Sequence, residues 1–285
     1  MSVPSAELSL SVTLAVLGAA FLHALWNAML KSAAGEPLLD TALIVAGSSI
    51  AALAVLPFIA LPVRAAWPYI ALSSAIHFAY YVTLAGAYRR GDLSFAYPLM
   101  RGVAPLIVTI LGVVFLHESP TLQHIVGIVL ISLGILTIAF FAGGRHTRAS
   151  AGWALANALI IALYTLVDGA GARASGNAIS YVCWLVFLEG IPFLCYILAT
   201  YGAPALGHWN KRWRRGLGGG AASLGAYAIV LWAMTRAPVA VVAALREVSV
   251  VFASLIGSMV LKEGFGWKRV VGAVSVAAGV AALRL

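Results

Sequence analysis

The chain has 285 residues, of which 62% are hydrophobic and 9% charged, and its formal net charge is +9. A water-soluble domain cannot bury that much apolar surface, so the composition requires a lipid bilayer around most of the chain. Backbone groups in lipid must be hydrogen-bonded internally, and apolar runs of about 20 residues predict membrane-spanning helices rather than a β-barrel. The excess of basic residues falls between these runs, where it sets orientation, and no nucleic-acid partner is expected. The predicted class is an all-α integral membrane protein.

In chain order, the apolar runs predict ten transmembrane helices, five in each half of the chain. The predicted spans are 9–30, 38–61, 66–88, 93–116, 122–142, 151–171, 178–200, 216–235, 238–261 and 267–284. Span two has almost no polar residue and is interpreted as a lipid-facing or packing helix. Residues 208–215 are basic and rich in tryptophan, which predicts a connection at the membrane surface before span eight.

Spans one and three each carry three polar or aromatic residues spaced i, i+3 and i+4, which places them on one face of the helix. These triplets are His23, Trp26 and Asn27 in span one, and His77, Tyr80 and Tyr81 in span three.

Span four carries Tyr97 and Arg101 one turn apart, and it contains Pro98 and Pro105. An internal proline removes a backbone hydrogen bond and tends to kink a helix. Because span nine has no proline at the equivalent positions, span four is predicted to be the helix that bends, with the two prolines as its hinge.

In the second half, Tyr164 and Asp168 lie one turn apart in span six, and Glu189 lies near the middle of span seven. Span nine carries Arg246, followed directly by Glu247. Successive side chains of a continuous helix point about 100° apart, so these two are not expected to face the same groove.

The second half repeats the first at a constant offset of 145 residues. The matched pairs are Arg101–Arg246, Gly112–Gly257, Leu116–Leu261, Glu118–Glu263, Gly127–Gly272 and Gly134–Gly279. This repeat divides the chain into a first unit at 1–142, a linker at 143–150 and a second unit at 151–285. Because each unit has five spans, the second enters the membrane upside down, which predicts a pseudo-twofold axis, a central cavity and alternating access.

Two further features of the repeat predict structure. The glycines Gly127, Gly134, Gly272 and Gly279 recur every seven residues within each unit, which allows close backbone approach and predicts that spans five and ten pack together. The repeated glutamates are expected to end their helices at the membrane surface, without a role in transport.

Basic residues outside the spans predict the orientation of the chain. Twelve fall on one side: Lys31, Arg89, Arg90, Arg145, Arg148, Lys211, Arg212, Arg214, Arg215, Lys262, Lys268 and Arg269. Four fall on the other: Arg64, Arg173, Arg236 and Arg284. The side with twelve is predicted to be cytoplasmic, which leaves both termini extracytoplasmic.

The chain resembles the EamA family of the drug/metabolite transporter superfamily. The resemblance is carried by the A-L-W-N motif at 24–27, the A-L-Y-T motif at 162–165, the repeated arginine, the L-x-E motifs at 116–118 and 261–263, and the paired glycines. It implies two inverted EamA units of five helices in a bacterial inner membrane, around a cavity lined by spans 1, 3, 4, 6, 8 and 9. On those spans lie the cavity candidates His23, Trp26, Asn27, His77, Tyr80, Tyr81, Tyr97, Arg101, Tyr164, Asp168, Tyr227 and Arg246. Glu189 falls on a helix that is peripheral in the family.

The chain is most similar to the YddG-type amino acid exporters, which implies a secondary transporter for amino acids, aromatic ones among them, or similar small metabolites. We expect it to act as a monomer in the lipid bilayer, without a metal or cofactor. The alternative is an exporter of amphipathic cations, drugs or lipid-linked sugars, although two deep arginines count against a cation site. Arg101 and Arg246 either pair with neighbours and snorkel, or face a wet cavity and bind the substrate carboxylate, each in a different access state. The sequence contains no phosphate-binding loop, no H-E-x-x-H and no G-x-S-x-G, so no enzymatic activity is predicted.

Overall fold

The computed structural model describes residues 8–31, 37–90, 93–141, 147–260 and 267–284, which form eleven α-helices with no β-strand among them. The helices are α1 (Leu10–Lys31), α2 (Pro37–Val55), α3 (Trp67–Arg90), α4 (Leu93–Leu116), α5 (Leu122–Phe141), α6 (Arg148–Ala174), α7 (Ala178–Tyr201), α8 (Ala203–Met234), α9 (Val239–Arg246), α10 (Ser249–Val260) and α11 (Trp267–Ala282). Within these residues, eight helical segments are long and apolar enough to cross a membrane. The predicted all-helical class is confirmed for the described part of the chain.

Helices α2 and α6 each have one end that differs from the predicted span. Helix α2 stops at Val55, before the predicted end of span two, because Pro57 has no N–H to continue the helical hydrogen bonding. Helix α6 begins at Arg148, inside the predicted linker, where the hydroxyl of Thr147 accepts a hydrogen bond from the backbone N–H of Ser150 (3.0 Å) and caps the helix. Residues 143–146 of that linker lie outside the described residues.

Helix α8 is 32 residues long and includes the basic segment 208–215, which is therefore not a separate connection. Gly202 joins α7 directly to α8 with a φ of +54°, a left-handed conformation that favours glycine. The first turns of α8 lie against the start of α2, where Asp40 lies 2.8 Å from Nε2 of His208 and forms an ion pair with Arg212 (3.1 Å). The buried carboxylate of Asp40 therefore links α2 to α8, a contact that the apolar composition of span two did not predict.

Helix α2 is an internal packing helix whose backbone approaches that of α8. A Cβ added at Gly47 would lie 1.9 Å from the carbonyl oxygen of Gly216, and one at Gly220 would lie 2.3 Å from the Gly47 carbonyl carbon. The Ser48 hydroxyl donates to the carbonyl of Gly220 (3.1 Å). Of the two roles the sequence allowed for span two, packing is observed on the face toward α8, while Ile50 and Leu53 are exposed on the surface of the bundle.

Span nine is divided into α9 and α10 by a break at Glu247 and Val248. The backbone N–H groups of these two residues donate to carbonyl oxygens three residues earlier (3.0 and 3.2 Å), as in a 3-10 turn. Helix α4, by contrast, runs without interruption through Pro98 and Pro105. The interrupted helix is thus in the second unit rather than the first, and the hinge role of the two prolines stays a prediction.

Helices α5 and α11 cross at their glycines. A Cβ at Gly127 would lie 2.9 Å from the Gly279 carbonyl oxygen, and one at Gly134 would lie 2.6 Å from that of Gly272. The residue number of the contacting glycine on α11 falls as the residue number on α5 rises, so the two helices are antiparallel. These are the equivalent helices of the two sequence repeats.

The remaining contacts between the two halves come in pairs that exchange equivalent helices. Helix α3 packs on α6 while α8 packs on α1, and α4 packs on α6 while α9 and α10 pack on α1. The equivalent helices α2 and α7 are also antiparallel, because Ser49 donates to the carbonyl of Val186 (3.2 Å) while Val45 lies against Gly190.

Glu118 is buried rather than exposed at the membrane surface, which corrects the expectation from the sequence. Its carboxylate accepts hydrogen bonds from the backbone N–H groups of Val239 (2.8 Å) and Ala240 (3.4 Å) at the start of α9. Arg173 at the end of α6 donates to the same carboxylate (2.9 Å) and to the carbonyl of Ala237 (3.0 Å). The positive end of a helix and a guanidinium stabilise this carboxylate, which joins the two halves. Its repeat partner Glu263 lies outside the described residues.

Candidate functional site

A cavity of about 170 Å³ lies between the two halves, displaced toward one side of the bundle. It is lined by the second halves of α1 and α3 and the first halves of α2 and α4, together with parts of α6 to α9. These are the ends nearest the loops that carry most of the basic residues. On the opposite side, the same helices close the bundle with buried side chains, among them Val12, Val16, Ile70, Tyr181, Leu185, Leu231, Met234 and Val239. The cavity is thus sealed on the side where Glu118 joins the halves.

Eleven of the twelve cavity candidates from the sequence line this cavity: His23, Trp26, Asn27, His77, Tyr80, Tyr81, Tyr97, Arg101, Tyr164, Tyr227 and Arg246. The twelfth, Asp168, lies behind the wall, fully buried. Its carboxylate accepts hydrogen bonds from the hydroxyls of Tyr181 (2.9 Å) and Tyr227. Asp168 therefore positions the Tyr227 ring, which does face the cavity.

Arg101 and Arg246 meet on a single carboxylate. Oε2 of Glu247 lies 2.5 Å from Nε of Arg101, and Oε1 lies 3.5 Å from Nη2 of Arg246. All three residues are at most 5% exposed. Glu247 does not line the cavity that Arg246 lines, as the sequence predicted, but its carboxylate contacts both guanidinium groups because helix α9 ends at Arg246. The break turns the Glu247 side chain back toward both guanidinium groups.

This cluster has more positive charge and more donors than Glu247 can satisfy. Two guanidinium groups and one carboxylate leave one net positive charge in a buried site. Nη2 of Arg101 and Nε of Arg246 are buried with no hydrogen-bond acceptor among the described residues. Such donors cost free energy unless an acceptor reaches them, so the cluster is suited to bind an anionic group that enters the cavity.

Aromatic rings form much of the remaining wall. His77 stacks on Tyr164 with ring centroids 4.3 Å apart, and Tyr80 lies edge-on to Tyr164 at 5.9 Å. Tyr81 stacks on Phe193 at 4.2 Å. His23 contacts Trp26 edge-on at 5.0 Å, and its Nε2 lies 3.5 Å from the Tyr97 hydroxyl. Rings held by such contacts offer a fixed apolar surface with polar edges.

Two helices contribute to the cavity that the sequence analysis did not place there. Helix α2 contributes Thr41, Ile44, Val45 and Ser48, and α7 contributes Val186 and Glu189. Oε2 of Glu189 lies 3.2 Å from Nδ1 of His77, and the Glu189 side chain is only 11% exposed. The signal that could have found it is the carboxylate itself, because an ionisable residue within a span normally faces the interior of the bundle.

The comparisons with known proteins agree with this architecture. The model of the EamA-like transporter family matches residues 10–140 and again residues 148–285. A solved structure described only as the crystal structure of a protein is similar over 99% of each chain, with a TM-score of 0.78 and 18% sequence identity, which supports the fold alone. No curated protein matches the chain.

The chain belongs to the EamA-like transporter family, and it carries two copies of the family's domain. It is therefore a multi-pass membrane protein and a small-molecule transporter of the drug/metabolite type. The predicted family is confirmed.

Proposed function

We propose that this protein exports amino acids, aromatic ones among them, across the inner membrane of a bacterium, as a YddG-type member of its family. The observation that carries the proposal is the buried cluster of Arg101, Arg246 and Glu247, whose two arginines line the cavity. Its one unbalanced positive charge and its unsatisfied donors match a single carboxylate. The aromatic wall beside the cluster suits an amino acid side chain.

Transport occurs by alternating access between two inverted repeats of five helices, with span nine counted as one interrupted helix. The antiparallel packing of the equivalent pairs α5/α11 and α2/α7 supports the inversion. The cavity is open toward one side and packed on the other, as one of the two access states requires. Exchange of the two halves' conformations moves the bound carboxylate from one arginine toward the other.

Counterflow in proteoliposomes tests this function. Vesicles loaded with an unlabelled amino acid should accumulate the same labelled amino acid transiently, and a panel of the twenty amino acids should show exchange for at least the aromatic members. Vesicles without the protein are the control for leakage. An absence of exchange for every member of the panel would contradict the proposal.

The basic residues further predict that both termini are extracytoplasmic and that the open cavity faces the cytoplasm. Alkaline phosphatase fused after Leu285 should be active, since it folds outside the cytoplasm, whereas a green fluorescent protein at the same position should be dark. Bright cells with inactive phosphatase would reverse the orientation.

The second candidate is export of amphipathic cations, and Glu189 is the observation that favours it, because a carboxylate in the cavity wall attracts cations. The arginine cluster opposes a ligand that carries only positive charge. Exchange of phenethylamine without exchange of any amino acid would favour this candidate.

A further inference from the structure

The described residues include five carboxylates, and four of them have dedicated partners. Asp40 is paired with His208 and Arg212, and Glu118 is held by Arg173 and backbone N–H groups. Asp168 accepts from two tyrosine hydroxyls, and Glu247 is paired with two arginines. Glu189 is different, because its neighbour within ion-pair distance is a histidine nitrogen that already has other partners.

That nitrogen has at most one hydrogen to donate but lies within hydrogen-bond distance of several oxygen atoms. Nδ1 of His77 lies 3.0 Å from the carbonyl oxygen of Ser73, 3.1 Å from the Ser73 hydroxyl and 3.2 Å from Glu189. An imidazole nitrogen carries at most one hydrogen, and the backbone carbonyl can only accept. When that hydrogen is donated to the carbonyl, Oε2 of Glu189 has no donor, and this oxygen is buried without a hydrogen bond. A cation that reaches this oxygen from the cavity stabilises the buried carboxylate.

The cavity wall therefore has two separate centres of charge. The arginine cluster carries one net positive charge, and Glu189 contributes a carboxylate whose Oε2 is buried without a hydrogen-bond partner. Between them lies Tyr164, which stacks on His77 and interacts electrostatically with Arg246. Other charged and titratable groups near Glu189 are Asp168, which is bonded to tyrosines, and the phenols of Tyr80, Tyr81, Tyr181 and Tyr227.

We propose that Glu189 is the binding site for the ammonium group of a zwitterionic substrate whose carboxylate binds the arginine cluster. This inference rests on the proposed function and specifies its substrate: a small molecule that carries one ammonium group and one carboxylate. An ammonium fits better than a metal ion, because aromatic faces next to Glu189, including Tyr164 and Tyr81, stabilise an organic cation. Among the described residues no set of three metal-ligating side chains converges.

The test compares three ligands that share one side chain: L-phenylalanine, 3-phenylpropanoate, which lacks the ammonium, and phenethylamine, which lacks the carboxylate. Equilibrium binding to the protein in lipid nanodiscs avoids passive leakage of the two analogues. Glu189→Gln should lower the affinity for phenylalanine and for phenethylamine by about tenfold or more, because a charge-assisted hydrogen bond is lost. Binding of 3-phenylpropanoate should stay within about twofold or improve, since this ligand has no ammonium group to contact the carboxylate of Glu189.

Glu189→Asp is the matched control, because it keeps the charge on a shorter side chain and should retain part of the preference for phenylalanine over 3-phenylpropanoate. If a variant is inactive in transport, ligand-induced thermal stabilisation by the same three compounds reports on binding alone. Equal loss of affinity for all three ligands in Glu189→Gln would overturn the proposal. An altered pH dependence of transport with an unchanged ligand preference would also overturn it, because Glu189 would then carry a proton rather than bind the substrate. Failure of the wild-type protein to bind phenylalanine would instead contradict the proposed function.

Discussion

Replacing Arg101 or Arg246 with glutamine should weaken binding of L-phenylalanine by about 10- to 100-fold, because each variant leaves one arginine balanced by Glu247 and removes the net positive charge. The affinity for phenethylamine, which has no carboxylate, should fall by less than about threefold. The measurement is equilibrium binding in nanodiscs for both ligands, followed by counterflow of labelled phenylalanine.

The matched controls are Arg101→Lys and Arg246→Lys, which keep the charge but lose the forked donor geometry, so they should bind phenylalanine better than the glutamine variants. Removal of both arginines is a less informative experiment, since it leaves Glu247 buried without a partner and should destabilise the fold by about 3–5 kcal/mol. Equal loss for phenylalanine and phenethylamine would show that the arginines are structural, which is the alternative the sequence left open.

The second large effect is expected on stability. Gly134→Leu and Gly279→Leu should each lower the free energy of unfolding by about 3 kcal/mol, because a side chain at either position meets the backbone of the facing helix. A Cβ alone would lie 2.6 Å from the Gly272 carbonyl oxygen in the first case and 2.7 Å from that of Gly127 in the second. Helices α5 and α11 would have to separate. The midpoint of thermal unfolding in detergent is the measurement.

Leu133→Ala is the control for a change of size on the same helix. Leu133 is 53% exposed and points out of the bundle, so truncation creates no cavity and should shift the unfolding midpoint by far less. If the two glycine variants unfold at the same temperature as Leu133→Ala, the close approach of α5 and α11 does not contribute to stability.

Helical periodicity was enough to predict which residues of single helices share a face. The triplet of His77, Tyr80 and Tyr81 could be placed on one side of span three because side chains four apart lie on adjacent turns. Resemblance to the family then indicated which helices surround the cavity. Asp168 was misplaced by this reasoning, since a residue one turn from Tyr164 can lie behind the wall when a neighbouring helix covers it.

Residues on helices without a polar pattern were missed. Span two was interpreted from its apolar composition, which could not show that Asp40 meets His208 or that Gly47 meets Gly216, because the partners lie about 170 residues away. Glu189 was assigned to a peripheral helix because the family resemblance places span seven outside the cavity lining.

By itself the sequence determined the helical membrane class, the duplication and the position of two arginines deep within apolar runs, since these follow from composition, from an offset of 145 residues and from the distance of each arginine from the ends of its span. Only the tertiary structure decided how those charges are balanced. The break after Arg246 turns Glu247 toward both arginines, and the packing of α3 on α7 brings Glu189 to His77. Both arrangements depend on contacts between distant segments and on a departure from regular helix, and neither leaves a periodic pattern in the chain.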